Sequence, residues 1–356
     1  MISTEVRAGS NAYPVLIGSG LLDDAGRILK QLLPVGRCAI ISDTNAGPRF
    51  GATVERSLAA AGFEPVLIAI PAGEQSKTLE QAGAVCDEMV KAGLDRRSLV
   101  IGLGGGVVGD LAGFVAAIFQ RGIPHAQIPT TLLAMVDSSI GGKTGVNAGA
   151  GKNLIGAVHH PAVVLDDLGV LKTLPRHEIT QGFAEIIKHA IIADAEMFSM
   201  LQDVDLGNVD FETLIRRNIE LKARIVAKDE RDRTGERALL NFGHTVGHGI
   251  ERAADYREIS HGDAVSLGIV AAANISMKRV SLAGEQQDAI VDLLRKFELP
   301  TQLPAKFSRE KILSAVKFDK KFEHGSIRFV LTPKIGSAHL SSDVTMGDIR
   351  KAVEEL

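Results

Sequence analysis

The sequence predicts an α/β protein in which a mainly parallel, helix-covered sheet is followed by a mostly helical domain. Three features carry that expectation. Short β-branched runs alternate with amphipathic stretches up to about Leu174, the rhythm of a parallel sheet with crossover helices. Beyond it, apolar residues recur at helical spacing over long segments. Between the two, Thr173-Leu174-Pro175 interrupts, giving domains at 1–173 and 174–356.

The strand-like segments are Tyr13–Ile17, Arg37–Ser42, Pro65–Ile70, Ser98–Leu103, Ala126–Pro129 and Ala162–Leu165. Leu79–Lys91 has the spacing of an amphipathic helix. In the second half, helices are expected at His177–Ala193, Phe211–Lys228, Leu240–Ala254, Asp263–Arg279 and Glu285–Phe297. Ile327–Leu331 and Ala338–Ser341 form a hairpin-like pair around Pro333 and Gly336. The apolar stretch Leu99–Ile118 contains Asp110 and six glycines. A central Asp costs about 2.5–3.5 kcal/mol in a membrane, so the stretch reads as strand, glycine turn and helix.

Composition narrows the function. Of 356 residues, 45% are hydrophobic and 23% charged, ordinary globular usage. A net charge of −3 and 4% aromatics argue against a nucleic-acid surface, which needs clustered cations and stacking rings. Cys38 and Cys86 cannot make a disulfide framework, so reduced thiols and a cytoplasmic location are expected. No basic segment followed by an apolar run opens the chain, so neither a signal peptide nor membrane attachment is expected. Of the 37 glycines, 13 fall within residues 102–156, which reads as backbone cleared for anionic ligands.

Four groups of residues carry chemistry. Gly104, Gly106 and Gly109 satisfy G-x-G-x-x-G after a strand and before a helix, where backbone N–H groups can meet a pyrophosphate. No acid follows at the usual distance, but Asp43 ends an earlier strand and could meet a ribose hydroxyl. Asp137-Ser138-Ser139-Ile140-Gly141-Gly142-Lys143-Thr144 fails as a P-loop, because Asp137 stands where the first glycine belongs. Its Lys143, with Lys152-Asn153 beyond, still suits an anion. Glu185, the pair His244 and His248 at i, i+4, and His261 suggest a carboxylate–histidine metal site with an open position. Spacing leaves open whether both paired histidines are ligands or one is an acid/base, and His189 is a rival. Lys188, Lys222, Arg237, Asn241 and Asp319-Lys320-Lys321 could gather around a multiply anionic substrate.

At these residues the chain resembles the 3-dehydroquinate synthases, within the sugar-phosphate cyclases. The motifs are GGGVVGDLAGFVAA, RGI, IPTTLLAMVDSSIGGKTGVN, GKNLIGA, TLP, AEIIKHA, KDERDRTGERALLNFGHTVGH and HGDAV, in that order from about Asp43 to Lys321. The resemblance implies a Rossmann-like domain followed by an α-helical metal-binding domain, NAD, a zinc or cobalt ion, and a homodimer. It implies conversion of 3-deoxy-D-arabino-heptulosonate 7-phosphate to 3-dehydroquinate and phosphate, the second step of the shikimate route. Carried over by motif, the metal ligands are Glu185, His244 and His261, with His248 on the substrate side. The NAD contacts are Asp43, Glu74, Lys77, Gly105, Gly106, Asp110, Thr130, Thr131 and Thr173, with Lys143 and Lys152 shared between NAD and substrate. The substrate residues are Asp137, Lys143, Lys152, Asn153, Lys188, Lys222, Arg237, Asn241 and His248. Arg121 of the RGI motif is expected at a partner subunit's phosphate site, and Lys320 or Lys321 over the phosphate. Three positions depart from the family pattern: Val158 for an aromatic, Asp263 for Glu and Gly249 for Ala. Another sugar-phosphate cyclase, a metal-dependent polyol dehydrogenase and a non-catalytic NAD-sensing protein are the competing readings.

Overall fold

A computed structural model of the chain describes residues 1–149, 151–205, 207–317, 322–323 and 326–356. The chain begins with β1 (Ile2–Ala8), β2 (Asn11–Gly18), α1 (Leu21–Leu32), β3 (Arg37–Asp43), α2 (Ala52–Ala61), β4 (Glu64–Ile70) and α3 (Leu79–Lys91). It continues with β5 (Leu99–Gly104), α4 (Gly106–Ile118), β6 (His125–Pro129), the hairpin β7 (Lys143–Ala148) and β8 (Gly151–Val158), and β9 (Val163–Asp167). Seven of these strands make one sheet in the order β1-β2-β9-β6-β5-β3-β4. Only β1 runs antiparallel to its neighbour.

All six residues of β5 are buried, as a strand covered on both faces requires. Ile41, Met89, Val100, Leu111, Phe114 and Val115 belong to the core that joins this sheet to α3 and α4. Ser42 of β3 pairs with Leu103 of β5, so Asp43 lies beside the carboxyl end of β5. The Thr130 N–H, just after β6, donates to the Gly104 carbonyl at 2.9 Å. The carboxyl ends of parallel strands are where such sheets bind ligands, and these residues stand there.

Two elements here were not legible. In β1 every second residue is buried, but Glu5 and Arg7 mask the short alternation. The β7–β8 hairpin carries Lys143, Lys152 and Asn153, and two of its glycines serve strand contact: a Cβ on Gly145 would lie 2.6 Å from the Ile155 carbonyl, and one on Gly156 2.2 Å from the Thr144 carbonyl. Part of the glycine excess is therefore packing.

The chain goes on through α5 (Arg176–Ala193), α6 (Ala195–Asp203), α7 (Phe211–Lys228), α8 (His244–Ala253), α9 (His261–Val280), α10 (Gly284–Lys296) and α11 (Arg309–Lys317). Short strands β10 (Phe322–Glu323) and β11 (Ser326–Ile327), the hairpin β12 (Phe329–Lys334) and β13 (Ser337–Ser341), and α12 (Met346–Glu354) complete it. One unit comprises Met1–Pro175 with Phe211–Ala227, the other Arg176–Asp210 with Lys228–Leu356. Helical spacing announced α7 but not its core; Phe211–Ala227 groups with the sheet, not with the helical half assigned to it from sequence.

In the second unit α9 is apolar nearly all round and is packed by α5, α8, α10, α12 and β12. The single helix expected from Leu240 is divided. A short turn, Arg237–Asn241, is followed by Gly243, whose φ of 77° is left-handed, and α8 begins after it. A Cβ on Gly268 of α9 would lie 2.0 Å from the Gly243 carbonyl, so only glycine admits so close an approach of α8 to α9.

Asp166 of β9 is fully buried, and neither carboxyl oxygen has a hydrogen-bond partner among the described residues. Burial raises its pKa well above the ordinary carboxylate value. A raised pKa means the folded chain holds the proton more tightly than the unfolded one, so stability is lost as pH rises above about 4. Asp166→Val is expected to gain about 1–3 kcal/mol in urea denaturation at pH 7, with the gain shrinking toward pH 4. A gain that is absent or independent of pH contradicts the buried, unpartnered carboxyl.

Candidate functional site

Glu185 sits mid-way along α5, while His244 and His261 are the first residues of α8 and α9. Ser260 caps α9 by accepting the Asp263 N–H. Gln181, one turn before Glu185, clamps the same helix end: its Oε1 accepts the Gly262 N–H at 2.6 Å and its Nε2 donates to Asp263 at 3.2 Å. The clamp and the close α8–α9 packing converge the three side chains.

Glu185 Oε1 lies 3.4 Å from His244 Nε2 and 3.6 Å from His261 Nε2. Ligand atoms 2.0–2.2 Å from a tetrahedral ion stand roughly 3.3–3.6 Å apart, so the spacing suits a zinc-sized ion. One potential ligand atom from each residue lies within 4.8 Å of the others, a group that does not include His248. Glu185 Oε1 is buried and without a hydrogen-bond partner among the described residues. An orphaned, buried carboxylate oxygen facing two imidazole nitrogens is a fit for a divalent cation. The other ring nitrogen of His244, Nδ1, lies 3.2 Å from the Phe242 carbonyl, an acceptor that favours the proton on Nδ1 and so an open Nε2.

Burial alone would raise the pKa of Glu185, but the Lys188 ammonium bonded to its Oε2, together with His244, holds it well below the usual range. Burial lowers His244 to about 4. Burial opposes charge on His261 too, yet Glu251 and Glu185 on either side raise it to about 10. Before a metal binds, the proton on His261 balances the carboxylates; binding a dication displaces it.

Around this group lie the second unit's other singled-out residues. His248 is half-buried, its ring centroid 5.3 Å from that of His244 in an edge-on arrangement. His189 is fully buried on the next turn of α5. Arg237 is buried and donates to the Glu230 carbonyl at 2.6 Å. Its loop is folded around Asp229, whose carboxylate accepts the N–H groups of Arg233, Thr234, Gly235 and Arg237. Against the effect of burial, those bonds lower Asp229 to about 2. Asn241 ends the short turn before α8. Lys320 and Lys321 lie outside the described residues.

In the first unit the glycine turn joins β5 to α4. The N-cap of α4 is Gly105, which has no side chain to cap it; a Cβ on Gly105 would stand 3.2 Å from Thr131, one on Gly106 3.0 Å from Ser138. A glycine at the N-cap leaves the opening N–H groups of the helix without a cap from that residue, in a cradle where a side chain would be tight, which fits a pyrophosphate. Asp43 Oδ1 accepts the Asn45 and Ala46 N–H groups at 2.8 Å, fixing the carboxylate at the strand end.

Beside the turn, residues assigned to different ligands are interlocked. Buried Lys77 donates to Asp110 and to Asn153. Glu74 accepts from Asn147 at 2.7 Å and lies 3.6 Å from Lys152. Lys222 donates to the Asp137 carboxylate at 2.7 Å. Burial raises the Asp110 pKa despite Lys77. Thr130 is buried next to Gly104, and Thr131 accepts the Ala134 N–H. Lys143 opens β7 with its side chain exposed. Thr173 and Arg121 are exposed; Thr173 bonds back to Val170, and Arg121 has a left-handed φ of 70°.

Sequence reasoning missed Gln181, Asp229 and Glu251. Gln181 is four residues before Glu185, and Glu251 seven after His244, so both share a helix face with a singled-out residue. Asp229 had no local signal, because its partners are backbone groups.

The family model for the 3-dehydroquinate synthase N-terminal domain matches residues 67–181, and that for the C-terminal domain matches 182–322. A 3-dehydroquinate synthase of Symbiobacterium thermophilum is 42% identical, over 98% of this chain and 99% of the relative. Among solved structures, a 2-epi-5-epi-valiolone synthase from Streptomyces hygroscopicus with NAD⁺ and Zn²⁺ bound has a TM-score of 0.88 at 30% identity, covering 98% of both chains. A 2-deoxy-scyllo-inosose synthase complexed with carbaglucose-6-phosphate, NAD⁺ and Co²⁺ has a TM-score of 0.90 at 24% identity, covering 99% of this chain and all of that one.

A Cβ on Gly262 would lie 2.6–2.8 Å from the side chain and backbone of Gln181. Gly262→Ala is expected to push the start of α9, and His261 with it, away from α5. Zinc affinity should fall by roughly tenfold or more in a chelator competition; unchanged affinity contradicts the clamp.

Proposed function

The chain belongs to the 3-dehydroquinate synthase family, and from that membership we propose that it converts 3-deoxy-D-arabino-heptulosonate 7-phosphate to 3-dehydroquinate and phosphate. The observation that carries the reading is the Glu185–His244–His261 group, converged on a fully buried carboxylate. A non-catalytic NAD-binding protein has no use for it.

The overall change is an alcohol oxidation, elimination of phosphate, reduction, ring opening and an aldol closure. When bound at the glycine turn, NAD supplies a hydride acceptor that is restored within the turnover. When bound by Glu185, His244 and His261, zinc or cobalt supplies a Lewis acid for the reacting hydroxyl and ketone.

The remaining work falls to the chain's own side chains. Asp43, Glu74, Lys77, Asp110, Thr130, Thr131 and Thr173, with the Gly105 and Gly106 backbone, are assigned to NAD. Lys143, Lys152, Asn153, Lys188, Lys222, Arg237 and Asn241 bind the substrate's carboxylate and phosphate, and Asp137 orients Lys222. Holding one conformer supplies orientation, worth up to ~7–11 kcal/mol in well-ordered cases. His248 moves the proton of the hydroxyl that is oxidised. Elimination removes one C–H proton and expels phosphate; the substrate's own phosphate takes that proton, so no separate base is assigned.

We also propose a cytoplasmic homodimer in which exposed Arg121 reaches the partner's phosphate site. Its left-handed backbone, shared with Gln120, is the strained geometry that functional loops retain. Among the described residues, no helix is long and apolar enough to cross a membrane.

A related cyclase acting on a sugar phosphate without a carboxylate is the second reading, favoured by the likeness to the inosose and valiolone synthases. Arg237 with Asn241 separates the two, because only a carboxylate needs that pairing.

Incubation with the heptulosonate phosphate and catalytic NAD is expected to release phosphate continuously without net NADH. A chelator should stop release, and zinc or cobalt should restore it. No release refutes the assignment, and NADH accumulating with a simple polyol instead identifies a dehydrogenase.

A further inference from the structure

We propose that Glu251 is a positioning residue for the metal centre, holding His261 with its proton on Nδ1 and Nε2 presented to the ion. The proposal rests on the reading of Glu185, His244 and His261 as the metal-holding group.

The His261 ring stands between two buried carboxylates. Its Nε2 is 3.6 Å from Glu185 Oε1, and its Nδ1 is 3.3 Å from Glu251 Oε2. Glu251 is 2% exposed, near the end of α8. A neutral imidazole carries one proton, and the nitrogen without it is the ligand. A carboxylate at Nδ1 draws the proton there, frees the Nε2 lone pair and makes the ring a stronger donor.

Glu251 is not itself a ligand, because an ion held by Nε2 lies on the far side of the ring. The two histidines are thus supported differently. His244 faces the neutral Phe242 carbonyl through Nδ1, whereas His261 faces an anion. His261 is also the more exposed ring, with 34% of its side chain accessible against 11% for His244. A partly exposed ligand at a helix terminus has more orientational freedom to lose, and a charged partner restrains it. The spacing supports the same division: Glu251 lies seven residues after His244, two turns along one face of α8, and so reaches His261 at the start of α9.

The test is zinc affinity of the metal-free full chain, by competition with a chromophoric chelator. The variants are Glu251→Ala, Glu251→Gln, His261→Ala and the His261→Ala, Glu251→Ala double variant, each checked for cooperative thermal unfolding. Glu251→Ala should weaken zinc binding about 10- to 100-fold. Glu251→Gln, which keeps an acceptor oxygen and loses the charge, should recover part of it. Without His261, removing Glu251 should cost nothing more. If the unaltered chain takes up no zinc, the ligand reading itself fails. If it does, but Glu251→Ala and Glu251→Gln bind as tightly, or the loss persists without His261, the positioning role is overturned.

Discussion

Glu185 is a carboxylate held with no exposure to water, and the second unit is organised around making that tolerable. Removing a charge from water costs several kcal/mol even after relaxation, unless partners surround it. Lys188 takes one oxygen, and the other faces His244 and His261. The two histidines depend on close packing and on a side-chain clamp. Gly243 and Gly268 let α8 approach α9, and Gln181 ties the start of α9 to α5. A buried group with such partners stores little stability, but it is well suited to binding a dication, which replaces a proton on His261 and leaves the packing in place.

The first unit solves the opposite problem of preparing backbone and cations for anions. The turn between β5 and α4 presents N–H groups where a side chain at Gly105 or Gly106 would crowd Thr131 or Ser138. Lysines beside it are already engaged, Lys77 by Asp110 and Asn153, Lys222 by Asp137. Such pairing fixes long side chains in place before a ligand arrives, lowering the ordering cost of binding. Residues assigned to NAD and to the substrate are members of one network, so a change at Glu74 or Lys77 reaches Lys152 and Asn153 as well.

Much of this was legible in the sequence because it is local. β5, the glycine turn and α4 form one continuous apolar and glycine-rich run, and α5 and α9 declare themselves by spacing. Glu185 stood out as a charge on an apolar helix. Less visible were features set by distant partners. The i, i+4 spacing of His244 and His248 could not say which one pairs with Glu185; that depends on where α9 begins. The core that α7 joins depends on tertiary packing, since an amphipathic helix carries no address. Glycines 145 and 156 look like ligand-binding glycines by composition, yet serve the contact between two strands. Asp229 and Glu251 act on a loop backbone and on another residue's ring, relations that spacing alone does not encode.

The central claim is that Glu185, His244 and His261 form one metal centre, and cobalt reports on it directly. Cobalt(II) in a site of few nitrogen and oxygen ligands absorbs visible light far more strongly than the hydrated ion. Titration of the metal-free chain should raise such a spectrum, saturating at one ion per chain, and Glu185→Ala should abolish it. A spectrum no different from free cobalt, or one that survives in Glu185→Ala, contradicts the account.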